Sequence, residues 1–217
     1  MEFLDKLLQE ELTIKHYRYL RMRTRLAKLP YHKTIDQFDF DDERRLRDLA
    51  TLRFVDHQEN VILLGPPRVG KTHLAVALAM QAITQRKTVY FTSAHDLVIT
   101  LQDAHHSRSI QQKMWVYTKL DLLIIDEIGY RKMDATAAHF IFQIVSERYE
   151  KRSIVLTSNK SFGMWGNIFG DTVLATVILA RLLHHSNTIN IKGESCRVKE
   201  QKKAGFFRSE TTGDQNG

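Results

Sequence analysis

The stretch GPPRVGKT, residues 65–72, constrains the fold more than any other feature of the chain. Its spacing is G-x-x-x-x-G-K-T, with Gly65, Gly70, Lys71 and Thr72 at the fixed positions. A loop of this kind works between a buried strand and the first turn of a helix. Both flanks fit. Val61, Ile62, Leu63 and Leu64 precede it as an apolar run, and Leu74, Ala75, Leu78, Ala79 and Ala82 follow on one helical face. Glycines let backbone N–H groups turn inward around an anion. The helix adds the positive end of its dipole. Lys71 has the reach for β- and γ-phosphates, and the Thr72 hydroxyl suits one position on Mg²⁺, which takes hard oxygen ligands. The candidate nucleotide-binding set is Gly65, Pro66, Pro67, Arg68, Val69, Gly70, Lys71, Thr72 and His73. Arg68 stands where many such loops have Gly. It is either tolerated or strained there, and its charge is available to phosphate.

A nucleotide site also needs a metal carboxylate and a group to orient water. LDLLIIDEIGY, residues 120–130, carries both. The run Leu122 to Ile125 predicts a strand buried on both faces, as in a parallel sheet. Alone, such a run ending in Asp-Glu reads equally well as a strand entering a solvated turn; beside the phosphate loop it reads as the second half of the site. Asp126 joins Thr72 as a candidate Mg²⁺ ligand. Glu127 is the candidate to polarise an attacking water, because ligands of open α/β sheets bind at the carboxyl ends of strands. An adjacent Asp-Glu pair favours an ATPase over a kinase. RSIVLTSNK, residues 152–160, predicts a further strand with the polar tip Thr157, Ser158 and Asn159. That tip is either a strand cap or a group reaching the γ-phosphate or the lytic water, with Asn159 as the candidate.

The remaining elements follow from periodicity. Helices are expected over 2–28, 42–57, 71–85, 95–105, 135–151 and 172–185, and strands over 61–64, 88–93, 121–126, 153–157 and near NTINIKG. Alternating strands and helices imply one α/β domain, a five-stranded parallel sheet with helices on both faces. Met114, Trp115 and Tyr117 are expected to pack as core before the third strand, with base stacking as the alternative. The tail after Phe207 is polar and expected to lack fixed structure.

Charge is uneven along the chain, which carries a formal +7. KHYRYLRMRTRLAK, residues 15–28, holds six Lys or Arg and no acid, and residues 192–208 hold six more against Glu194 and Glu200. Such patches read either as a polyanion surface, most simply nucleic acid, or as solvated basic faces. Lys15, Arg18, Arg21 and Arg25 are the candidate DNA contacts. No apolar run reaches about 18 residues, so no membrane span is expected. The opening MEFLDKLLQEEL lacks the form of a signal peptide. The single cysteine, Cys196, allows no intrachain disulfide. A cytoplasmic setting is expected. His105–His106 and His184–His185 are not expected to bind metal, because neighbouring residues on a helix point about 100° apart and no Cys or carboxylate cluster completes either site.

Taken together, the chain resembles the IstB family, helper ATPases of bacterial insertion sequences related to the helicase loader DnaC and the AAA+ initiators. The resemblance runs from Met1 to about Gly205. It is carried by FDF (38–40), LATLRFV (49–55), ENVILLGPPRVGKTHLA (59–75), DLLIIDEIGY (121–130), LTSNKSFGMWGNIFGD (156–171) and ILARLLHHSNTINIKGESCRVK (178–199). It implies a helical DNA-binding and oligomerisation region over 1–57 and an AAA+ core over 58–205 without a lid domain. It implies that Arg181 completes the site of a neighbouring copy; from the residues alone Arg181 reads as a surface arginine at a helix C-terminus. It implies that Arg197 senses nucleotide, although Cys196 stands where the family usually has Tyr. The segment after FDF is shorter than in family members, close to the expected adenine site, and GYRKMDATAAHF replaces a more apolar stretch. The implied activity is hydrolysis of ATP with Mg²⁺ by a homo-oligomer on double-stranded DNA, which it contacts non-specifically while stimulating a partner transposase. The alternatives are a DnaC-like helicase loader and a nucleotide-bound scaffold without turnover. The short basic N-terminal extension disfavours the loader.

Overall fold

The computed structural model describes residues 2–35 and 43–191. The motif FDF, Cys196, Arg197 and the tail from residue 206 lie outside the described residues.

Five strands, β1 (Asn60–Leu64), β2 (Val89–Ser93), β3 (Leu122–Ile128), β4 (Ser153–Ser158) and β5 (Ser186–Asn190), form one sheet in the order β2-β3-β4-β1-β5. Every pairing is parallel. Parallel neighbours need helical crossovers, which cover both faces of the sheet and explain why β1, β3 and β4 are near-continuous apolar runs. Successive residues point to opposite faces. Val61, Leu63, Leu122, Ile124 and Val155 pack on one side with α4 (Lys71–Thr84). Ile62, Leu123, Ile125, Ile154 and Leu156 pack on the other with α5 (Ala94–His106), α7 (Ala135–Arg148) and α9 (Thr172–His184).

Helix α4 is apolar around more of its circumference than the predicted face. Val76, Ala77 and Ile83 are buried as well, because α1 (Glu2–Leu26) and α2 (Glu43–Ala50) pack against it from outside. Among the described residues α1 is held near its end: Leu20 packs on the core, and just past the helix Ala27 is buried and its carbonyl accepts the Phe91 N–H at 2.8 Å. Further back, Leu8, Leu12, Ile14 and Tyr17 are exposed.

Most expected elements appear within a few residues. Three expectations need correction. The single helix expected over 42–57 is broken: Leu52 takes φ 60°, and a short helix α3 (Arg53–Asp56) follows. Leu52 is fully buried, so the core fixes this turn against its local cost. Residues 110–119 form a helix, α6 (Ile110–Lys119). In it Tyr117 is buried as expected, but Trp115 is 63% exposed and is not core.

The block WGNIFGD is a helix corner. Trp165 and Phe169 on α8 (Trp165–Phe169) are buried, and Gly170 ends that helix at φ 68°. Asp171 then caps α9, accepting from the N–H groups of Val173 (2.8 Å) and Leu174 (3.0 Å). A Cβ on Gly166 would sit 2.7 Å from Thr172 Cγ2, so a larger residue there requires that side chain to move.

Candidate functional site

The phosphate loop leaves the carboxyl end of β1 between β4 and β5. A Cβ on Gly65 (φ 150°) would lie 2.4 Å from the Ile191 carbonyl oxygen, and Ile191 donates its N–H to the Leu64 carbonyl at 2.8 Å. The loop therefore rests on the exit of β5. Gly70 (φ 98°) starts α4, and Arg68 occupies the left-handed region at φ 68°. Of the two readings open for Arg68, the strained one holds.

Lys71 is only 9% exposed. Its ammonium donates to the carbonyls of Gly65 (2.8 Å) and Pro66 (2.7 Å). Burial lowers its pKa, opposed by the nearby charges of Asp126 and Glu127. At the next residue, Thr72 Oγ1 lies 3.1 and 3.0 Å from the two oxygens of Asp126.

Asp126 and Glu127 sit where β3 leaves its register with β4. Ile125 pairs with Leu156 and Ile128 with Ser158, so two residues of β3 oppose Thr157 alone. This is a bulge, a device that re-aims side chains. Glu127 adopts φ 61° within it. Its N–H is satisfied by Thr157 Oγ1 at 2.9 Å, and the same hydroxyl donates to Asp126 Oδ1 at 2.5 Å. Asp126 is 6% exposed. Burial raises its carboxyl above the usual range, while hydrogen bonds from Thr157 and Thr72 and the charge of Lys71 pull it back. Glu127 is instead exposed, beside the same cavity.

These groups line one cavity of about 640 Å³, which also includes Pro67, Arg68, Gly70, His73 and Asn159. Asn159, just past β4, thus lines the same cavity as the phosphate loop and both acids. Tyr31, Lys33 and Tyr130 line it too. Sequence reading missed them; Tyr31 and Lys33 arrive on the connection after α1, which no local pattern ties to the phosphate loop.

Arg181 does not line this cavity. Its guanidinium stacks 4.9 Å from the Phe142 ring centroid and donates to the hydroxyl of Ser146, both on α7. The candidate DNA residues do not line it either. Arg18, Arg21 and Arg25 are exposed at helical spacing on α1, whereas Lys15 pairs with Glu11 at 2.8 Å. Among the described residues no helix is long and apolar enough to cross a membrane.

A family model described as IstB-like ATP binding protein matches residues 1–204. A relative from Geobacillus stearothermophilus, named for ATP binding in insertion sequence IS5376, is 51% identical over 206 residues, covering 93% of this chain and 82% of the relative. One from Pseudomonas aeruginosa, named likewise for IS21, is 48% identical over 216 residues, covering 97% and 82%. Among solved structures, AMPPCP-bound DnaA from Aquifex aeolicus aligns with a TM-score of 0.66 at 20% identity, over 85% of this chain and 59% of that one. The DnaC helicase loader aligns with a TM-score of 0.59 at 21% identity, over 76% and 97%. At such identities the likeness establishes the fold, the P-loop core that AAA+ proteins share.

Proposed function

We propose, starting from the fact that this chain belongs to the family of IstB-like ATP binding proteins, that it is an Mg²⁺-dependent ATPase serving DNA transposition. The observation that carries the reading is the meeting of Thr72 and Asp126 at 3.0–3.1 Å, with Lys71 and Glu127 in the same cavity. Two hard oxygen donors at this separation, one anionic, fit Mg²⁺, and Thr72 and Asp126 would hold it. Bound there, the ion would neutralise charge on the β- and γ-phosphates.

The chain's own residues divide the remaining work. Lys71 exchanges the carbonyls of Gly65 and Pro66 for phosphate oxygens. The loop N–H groups and the start of α4 hold the anion. Glu127, exposed beside the cavity, takes the proton of a water attacking the γ-phosphorus as the bond to the β-phosphate oxygen breaks. Asn159 orients that water. Arg181 reaches the γ-phosphate of a neighbouring copy, since in its own chain it lies off the cavity. A guanidinium in that role is worth on the order of 10³–10⁵ in rate.

The protein acts as an oligomer on double-stranded DNA, with Arg18, Arg21 and Arg25 on phosphates, and stimulates a partner transposase. Its identity of about half with insertion-sequence relatives favours this over a helicase loader. The test is DNA-stimulated ATP hydrolysis with Mg²⁺ by the wild type and by Glu127→Gln. The expected result is turnover reduced by about 10² or more in the variant, with nucleotide binding kept. Equal turnover in both would overturn the enzyme reading.

A further inference from the structure

His184 closes α9 and His185 leads into β5. On a continuous helix their side chains would diverge, as expected from the sequence. The structure corrects that expectation, because the helix ends between them. His185 leaves it at φ −126°, ψ 84°, and the two imidazole centroids come to 4.1 Å. Glu150, on the left-handed turn that follows α7 (φ 56°), reaches both rings. Its Oε1 lies 3.6 Å from His184 Nδ1 and 3.7 Å from His185 Nε2. One donor atom from each of the three residues lies within 4.8 Å of the others.

We propose that Glu150, His184 and His185 form a binding site for a divalent transition metal of the zinc class. Two neutral imidazoles and a carboxylate are a donor set for Zn²⁺ and its neighbours rather than for Mg²⁺. Bonds of 2.0–2.1 Å in a tetrahedral site hold donor atoms about 3.3–3.4 Å apart, so the two carboxylate–imidazole edges need to close by only a few tenths of an ångström. All three side chains are about half exposed, which leaves an entry path and room for water as a fourth ligand. His184 Nδ1 and the Tyr149 hydroxyl are hydrogen-bonded at 2.9 Å. A metal bound through Nδ1 would replace that hydrogen bond. Arg181, one turn earlier on α9, directs its guanidinium onto Phe142 and Ser146.

The site lies at the amino ends of the strands: the His185 carbonyl accepts the Asn60 N–H at 2.8 Å, where β1 begins. It is a strand's length, roughly 16 Å, from the phosphate loop. It ties the turn after α7 to the junction of α9 and β5, and it does not depend on the nucleotide reading.

The full chain, free of nucleotide and in excess Mg²⁺, is titrated with Co²⁺ followed by visible absorbance, and with Zn²⁺ against a chromophoric chelator. The expected result is one equivalent bound with Kd below about 100 µM, weakened about tenfold or more in Glu150→Gln and in the double variant His184→Gln, His185→Gln. Tyr149→Phe binds at least as tightly as wild type. The double variant His105→Gln, His106→Gln, an adjacent pair elsewhere, binds like wild type. Absence of a one-equivalent site in that range, or unchanged affinity without His184 and His185, overturns the proposal. Histidine NMR of the wild type gives a reading that needs no variant: Zn²⁺ must shift two imidazoles of the chain's ten ahead of the rest.

Discussion

The Thr157 hydroxyl donates a 2.5 Å hydrogen bond to Asp126 Oδ1 and accepts the Glu127 N–H at 2.9 Å. One side chain on β4 thereby sets both acids of β3. Thr157→Val keeps the shape and removes both bonds. It is expected to lower stability by about 1–3 kcal/mol in urea unfolding and to reduce ATP turnover more than nucleotide affinity. Thr157→Ser, which restores the hydroxyl, is expected to recover most of both.

Asp126 carries a carboxyl raised by burial, and the sign of its pH effect follows. A folded pKa above the unfolded one makes ionisation costly to the fold. The cost is absent below the ordinary carboxylate range, grows as pH rises through it, and is complete above the folded value. Asp126→Asn removes the charge and keeps one accepting oxygen, for the Thr157 hydroxyl, while its amide nitrogen cannot accept from Thr72 as Oδ2 does. Without nucleotide the variant is expected to gain on wild type as pH rises from 4 to 7. Its Mg²⁺-dependent nucleotide binding is expected to be lost. Thermal unfolding across pH and nucleotide titration check the two halves.

Arg68 holds a backbone conformation that costs an L-residue roughly 1–2 kcal/mol. Arg68→Gly relieves that strain but frees the unfolded chain, so a net stabilisation of at most about 1 kcal/mol is expected. If the Arg68 charge meets phosphate, nucleotide affinity falls while stability rises. Thermal shift with and without ATP separates the two.

Arg148 is fully buried and donates to the carbonyls of Tyr117 (2.7 Å), Asp121 (3.2 Å) and Ser153 (2.7 Å). Burial brings its pKa down to about 9. Arg148→Met removes a donor from three carbonyls where α7 meets the sheet, of which that of Asp121 keeps the Ser153 N–H at 3.3 Å. A loss of about 3 kcal/mol is expected in chemical denaturation.

Neutralising Arg18, Arg21 and Arg25 to Gln is expected to leave thermal stability unchanged, because all three are exposed on α1. An arginine that no longer neutralises a phosphate lowers the slope of log affinity against log salt by about 0.9, so the duplex-binding slope should fall by roughly two to three. An unchanged slope takes this helix out of the interface.

The phosphate loop, the β3 acids and the parallel sheet were legible because each rests on short-range chemistry. Gly65 and Gly70 announce backbone turns, and an apolar run such as Leu122 to Ile125 can be satisfied only between two layers. What escaped reading depends on partners distant in sequence. The bulge at Glu127 is fixed by Thr157, thirty positions on. Tyr31 and Lys33 line the cavity from a connection that Ala27 ties to Phe91, far along the chain. The break at Leu52 is imposed by the core, and the facing of His184 and His185 by a helix that ends one residue sooner than periodicity suggested.

The closeness of Gly65 to Ile191 bears on the order in which the molecule can be assembled. The nucleotide cradle is encoded before the midpoint of the chain, yet the backbone against which it is braced comes 126 positions later. A growing polypeptide can therefore form the loop early but cannot seat it until residue 191 has been made. Chains truncated before residue 191 are expected to capture ATP more weakly than the full chain.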